Sequence, residues 1–279
     1  MRSQSLKTTL FLGLQHLLPQ HTLSRWVGKL ADSKISFIKN GLIRLALRHY
    51  KIDVSTAKNK DPLSYPSFNA FFTRVLAGNP STLFPKNGSL GSPAEGILSQ
   101  HGPIKAGTLI QAKGREYTVA ALLAGHHSAA LFEHGSFATI YLAPHNYHRV
   151  HAPLAGVLTD IAYVPGKLFS VNLTTADHID GLFAKNERMI FYMNTPFGKC
   201  ALVMVGALLV AGIKSALAPE WTRQDLNRFQ IHHLASPLAL HAGDELGYFD
   251  FGSTVVMVFE KDLPMRLTIG ASVTLGQAL

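Results

Sequence analysis

Three short stretches of the chain carry side chains able to move protons or attack a carbonyl. Pro144-His145-Asn146-Tyr147-His148-Arg149-Val150-His151-Ala152-Pro153 follows an apolar run that ends at Leu142. Imidazole titrates near neutral pH, so two of these histidines, joined by groups from elsewhere, can serve as acid and base. A metal is a poorer fit. On a strand successive members of the trio alternate faces, and on a helix His145 and His151 stand about 240° apart, so one ion cannot take all three. Asp250-Phe251-Gly252-Ser253-Thr254 enters the last apolar run. A serine in such a turn becomes a nucleophile when a histidine and a carboxylate activate it. It lacks the Gly-x-Ser-x-Gly elbow, and no helical pattern follows it. Ser92-Pro93-Ala94-Glu95-Gly96 holds a carboxylate in a Pro/Gly turn, which by itself is ordinary surface chemistry.

The elements that must position these groups are mostly strands. From residue 90 onward, short apolar runs at 138–142, 156–164, 189–193, 201–213 and 254–259 are separated by Gly, Pro and Asn. The run 201–213 is broken by Gly206 and reads as two successive buried strands or one bent strand. Ser67 reads as the N-cap of a short helix bearing Phe68, Phe71, Phe72 and Leu76. The fold class is therefore α+β: N-terminal amphipathic helices in residues 1–80, followed by a strand-rich catalytic domain in 81–279.

The formal charge of +9 is confined to one end. Residues 1–60 carry eleven Lys and Arg against Asp32 and Asp53, while the remainder is balanced. That placement excludes a nucleic-acid enzyme with a basic active face and favours a basic attachment segment. Apolar stripes run through Leu6, Leu10, Leu14 and Leu17, then Leu23, Trp26, Val27 and Leu30, then Ile35, Ile38, Leu42, Leu45 and Ala46, with Arg44, Arg48 and Lys51 opposite the last. Such helices suit a membrane surface, and the plain alternative is that the stripes pack on the protein's own core. Gln15 and His16 interrupt the candidate span, and no small-residue cleavage site follows it, so neither a membrane-crossing helix nor a signal peptide is expected. The single cysteine, Cys200, excludes an intrachain disulfide and places the protein on the reducing side of a membrane.

In combination these motifs resemble phosphatidylserine decarboxylase over nearly the whole chain. The matching stretches are 68–76, 92–96, 117–125, 141–156, the Pro-Gly-x-Leu-x-Ser-Val-Asn pattern at 165–172, Asn186-Glu187-Arg188, Val205-Gly206-Ala207 and 247–259. The resemblance implies that Ser253 attacks the carbonyl of Gly252, turns the amide into an ester, and leaves by elimination as a pyruvoyl group. The chain would then consist of residues 1–252 and 253–279. The pyruvoyl ketone would form a Schiff base with phosphatidylserine and take up the electrons released with carbon dioxide, giving phosphatidylethanolamine. His151 would activate the serine, His148 would act in decarboxylation, and Glu95 would complete the self-cleavage relay. No metal is implied. Glycine at 252 would permit a strained backbone. The partners would be a phospholipid and the cytoplasmic face of the cell membrane, to which the protein is peripheral, with a homodimer left open.

The sequence departs from that pattern at three places. Glu95 stands where the family has aspartate, His145-Asn146 where bacterial relatives carry Arg-Asp, and Phe251 where they carry leucine. An extra methylene moves a carboxylate by about 1 Å, which can cost on the order of 100-fold in rate. From the sequence, Glu95→Asp would therefore speed maturation unless the turn has adapted to glutamate. Two other classes stay open: a lipid-surface protein whose maturation the Glu95 change has stopped, and, ranked below it because the resemblance implies self-attack, a serine hydrolase using Ser253, His151 and Glu95 on external esters.

Overall fold

The computed structural model describes residues 6–112, 114–208, 212–218, 228–250 and 252–279. Phe251, one of the three departures, lies outside them. In chain order the strands are β1 (Gly96–Pro103), β2 (Thr108–Ala112), β3 (Arg115–Thr118), β4 (Ser136–Leu142), β5 (Arg149–His151), β6 (Gly156–Val164), β7 (Arg188–Thr195), β8 (Gly198–Val205), β9 (Ile213–Ser215), β10 (Gln230–Leu240), β11 (Glu245–Phe249), β12 (Ser253–Phe259) and β13 (Ser272–Val273). Eight of them form one sheet in the order β10-β6-β7-β8-β12-β4-β1-β13, with every neighbouring pair antiparallel. A second sheet has the order β5-β11-β9, and β2 and β3 pair as a hairpin. With N-terminal helices before it, this is the expected α+β architecture.

Strand β12 lies between β4 and β8, and all seven of its residues are buried. Alternation along a strand sends side chains to opposite faces. Val255, Met257 and Phe259 accordingly join one core, while Val256 and Val258 join the other. Such two-sided burial explains why the segment reads as a continuous apolar run rather than an alternating one. The small sheet packs on the first of these cores through Val150, Ile213, Leu246 and Phe249. The run 201–213 thus divides into β8 and β9, which belong to different sheets; residues 209–211 between them are outside the described set.

The N-terminal helices are α1 (Leu6–Leu17), α2 (Gln20–Ala31) and α3 (Ser36–Tyr50). Their amphipathicity is turned outward. In α2 the buried residues are Gln20, Ser24, Gly28 and Ala31, whereas Trp26 is 68% exposed. Leu10, Leu14, Leu17, Leu30 and Phe37 are also exposed. In α3, Leu45 and Ala46 part company: Ala46 is buried with Ile43, and Leu45 is exposed beside Arg44 and Arg48. Core packing therefore accounts for only part of these stripes: Leu42 and Ala46 pack in the helical core, and the larger share of the apolar side chains faces outward. Gln15, which interrupts the apolar run in the sequence, is a clip in the fold. Its Oε1 accepts from Ser170 N (2.8 Å), and Gln20 Oε1 accepts from Leu168 N (2.8 Å), tying both helices to the 166–170 loop. Among the described residues no helix is long and apolar enough to cross a membrane.

The short helix α4 (Phe68–Phe72) starts where the sequence indicated, with Ala70 N donating to Ser67 Oγ at 3.1 Å. Its Phe68, Phe71 and Phe72 join Ile43 and Ala46 in a separate core that anchors the helical region; Leu76 lies beyond the helix.

Candidate active site

Between β11 in the small sheet and β12 in the large one, the chain passes through residues 250–252. Both shoulders of this crossing are tied to the same histidine turn. Phe249 N donates to the His148 carbonyl (3.1 Å), and Ser253 is registered opposite Leu142. Residues 143–147 therefore link the two positions, Leu142 and His148, at which the shoulders are held. The turn is itself held by Asn146, whose N donates to the Ala143 carbonyl (2.9 Å) and whose Oδ1 accepts from Ala143 N (2.8 Å).

Ser253 is fully buried at the head of β12, and its Oγ has no hydrogen-bond partner. The described residues cover this hydroxyl in the uncut chain. Gly252 is not strained: its φ is not positive, and a Cβ there would meet only the Leu142 carbonyl oxygen at 3.6 Å. The backbone strain expected of this glycine is absent.

The three histidines separate by environment. His145 is exposed. His148 is fully buried, stacked on Phe72 with ring centroids 4.1 Å apart, and neither ring nitrogen has a hydrogen-bond partner. Burial, reinforced by the nearby Arg74 charge, lowers it to about 3; the Pro144 and Ala143 carbonyls face the ring and oppose this without reaching bonding geometry. The ring is neutral at physiological pH. His151 is also buried, with Nδ1 2.7 Å from the Gly243 carbonyl and Nε2 3.1 Å from the Tyr147 hydroxyl. Burial lowers it to about 4, the Gly243 bond opposing. Because a carbonyl can only accept, Nδ1 of the neutral ring carries the proton and Nε2 is the basic nitrogen, accepting from Tyr147. Among the described residues no three His, Cys, Asp or Glu side chains converge on a metal position.

Glu95 is partly buried, and its Oε1 accepts from Asn146 Nδ2 at 2.7 Å. Two of the three departures from the family pattern are thus one contact. The structure brings Glu95 to the turn through Asn146, and both ring nitrogens of His151 are engaged elsewhere. Arg74 is a group that sequence reasoning passed over. It is buried after α4, it donates weakly to the His145 carbonyl (3.4 Å), and its Nη1 has no partner. Burial pulls it below the usual guanidinium value, and the Glu95 charge pushes back. Only its place after Phe72 distinguished it from the other cations, so no sequence signal marked it. Tyr147 and Asn146 lay inside the histidine motif and were legible as turn residues, but not as partners of His151 and Glu95.

A serine thus lies buried at the head of a central strand, near a turn and strand that carry two buried histidines, His148 and His151. Comparison with known proteins gives the family. A family model described as phosphatidylserine decarboxylase matches residues 68–279, and another described as PSD matches residues 10–51. Proteins named phosphatidylserine decarboxylase proenzyme align at 46% identity in Acinetobacter baylyi (92% of this chain, 89% of the relative), 45% in Azotobacter vinelandii (92% and 91%) and 43% in Pseudomonas fluorescens (98% of each). The class is that of lyases made as proenzymes, whose pyruvoyl group derives from a serine of the chain. The chain belongs to the phosphatidylserine decarboxylase family.

Proposed function

We propose that this protein matures by cutting itself at Gly252–Ser253 and then decarboxylates phosphatidylserine to phosphatidylethanolamine at the membrane surface. The observation that carries the reading is the crossing itself, with both shoulders of 250–252 tied to the histidine turn. In the first step Ser253 Oγ adds to the Gly252 carbonyl while its proton passes to a base, and the C–N bond breaks to give an ester. Loss of the Ser253 Cα proton then expels the Gly252 carboxylate. The enamine left at residue 253 takes up water, releases ammonia and leaves a pyruvoyl group. The residues present fit that group: residue 253 heads a strand whose ladders to β4 and β8 keep 253–279 in place after the cut. The ketone supplies an electron sink for the leaving carboxylate's electrons. Ser253 is the nucleophile, and His151 is assigned as the base; its Nε2 accepts from the Tyr147 hydroxyl in the uncut chain and has to leave that bond to take the serine proton. His148, neutral and with neither ring nitrogen hydrogen-bonded, fits the group that handles the proton in decarboxylation. Release of carbon dioxide from vesicles of phosphatidylserine labelled in the serine carboxyl tests the function; mature protein that releases none contradicts it.

Glu95 is here assigned to holding the turn through Asn146. That contact argues for a turn adapted to glutamate, and it reverses the sign expected from the sequence. Glu95→Asp should slow maturation by about 10-fold, because the shorter side chain loses Asn146 and lets the turn drift. Glu95→Gln, which keeps the length and an accepting oxygen, should retain most of the rate. Time courses of chain cleavage decide; faster cleavage with aspartate would show that glutamate is a handicap.

The outward apolar faces of α1–α3 and the excess cations of residues 1–60 support attachment to anionic lipid on the cytoplasmic side. Cosedimentation with anionic vesicles should weaken in high salt without vanishing, and removal of residues 1–60 should abolish it. Equal binding of both forms would place the attachment elsewhere.

A further inference from the structure

One ion pair stands immediately upstream of the bond that is cut. Lys214 Nζ lies 3.3 Å from Asp250 Oδ2, with the aspartate side chain 4% exposed and the lysine 49%. Burial acts to lower Lys214, but the Asp250 carboxylate and its hydrogen bond to the amine outweigh it, and the ammonium persists. The same segment is tied to β9 by its backbone, since Asp250 N donates to the Gly212 carbonyl (3.2 Å) and Phe249 is registered with Ile213. Downstream, Ser253 cannot move, being laddered into the centre of the large sheet. The orientation of the Gly252 carbonyl towards the Ser253 hydroxyl is therefore coupled to where residue 250 is held.

We propose that the Lys214–Asp250 ion pair is a positioning device for self-cleavage, holding the residues before the scissile bond against β9 so that the Gly252 carbonyl keeps its face towards the Ser253 hydroxyl. A buried carboxylate that loses its counter-charge is driven towards water. Asp250 would carry Gly252 with it, and displacements of about 1 Å in a reacting pair cost on the order of 100-fold. The cut also leaves a new carboxylate on Gly252, two residues from Asp250, so a cation at this place has charge to meet before and after maturation. Neither residue touches the reacting atoms, so neither is catalytic.

The inference rests on the self-cleavage reading, and the test separates the two. Maturation of the full-length chain is followed by intact mass for the wild type, Lys214→Met, Asp250→Asn and the exchange Lys214→Asp/Asp250→Lys, with thermal unfolding measured on each precursor. Lys214→Met should lower the unfolding midpoint and, assayed well below that midpoint where the precursor is fully folded, mature about 10- to 100-fold more slowly. Asp250→Asn should do likewise, and the exchange should recover most of the rate. Wild-type maturation in Lys214→Met, or an exchange no faster than the single variants, overturns the ion pair and leaves self-cleavage standing. A wild-type chain that never cuts itself removes both.

Discussion

Ser253→Ala leaves the chain whole and without decarboxylase activity, the largest effect expected of any single substitution here. The hydroxyl removed is fully buried and has no hydrogen-bond partner, so its loss takes away no bond and creates almost no space. The variant should fold with the stability of the wild-type precursor. Cleavage and carbon dioxide release should both fall below detection, because without Oγ the Gly252 carbonyl has no nucleophile and the electron sink is never made. A variant that still separates into two chains would show that another group attacks the carbonyl, and one that stays whole yet decarboxylates would show that the pyruvoyl group is unnecessary.

The second large effect separates two histidines three residues apart. His148→Ala should cut itself at a rate within about 10-fold of the wild type and lose about 10²- to 10⁴-fold in decarboxylation. His151→Ala should stay whole. The environments differ in the way this requires. His151 is held in one tautomer by the Gly243 carbonyl, with Nε2 basic, and such fixed orientation suits a base used once in a folded precursor. His148 is held by stacking on Phe72 rather than by hydrogen bonds, so the unprotonated nitrogen of its neutral ring can take a proton and its N–H can give one to an incoming substrate. Either replacement leaves a cavity, and the precursor's unfolding midpoint separates lost chemistry from lost fold. The opposite pairing of phenotypes would exchange the two roles.

Much of this architecture was legible because burial leaves a pattern along a chain. The continuous apolar residues of β12 announce a strand covered on both faces, and the Ser67 cap announces α4. The stripes of α1–α3 were legible as amphipathic, but periodicity does not say which face points inward. In α2 the inward face is Gln20, Ser24, Gly28 and Ala31, small or polar residues that a hydrophobic pattern assigns to water. The candidate site was legible as motifs and not as contacts. Glu95 meeting Asn146, Tyr147 meeting His151, and Lys214 meeting Asp250 join residues 51, 4 and 36 positions apart. The first and last arise because the turn and sheet registers bring distant segments together; in the second a local turn folds the tyrosine back onto the ring. Gly252 illustrates the converse, since a glycine that reads as a site of strain sits in relaxed backbone.

The intact mass of the purified wild-type protein under denaturing conditions tests the central claim most directly. Two species are expected, residues 1–252 ending in a free carboxylate and residues 253–279 lighter by one ammonia than a peptide that begins with serine. A single full-length species after long incubation at neutral pH, or a small peptide that retains its serine, would contradict it.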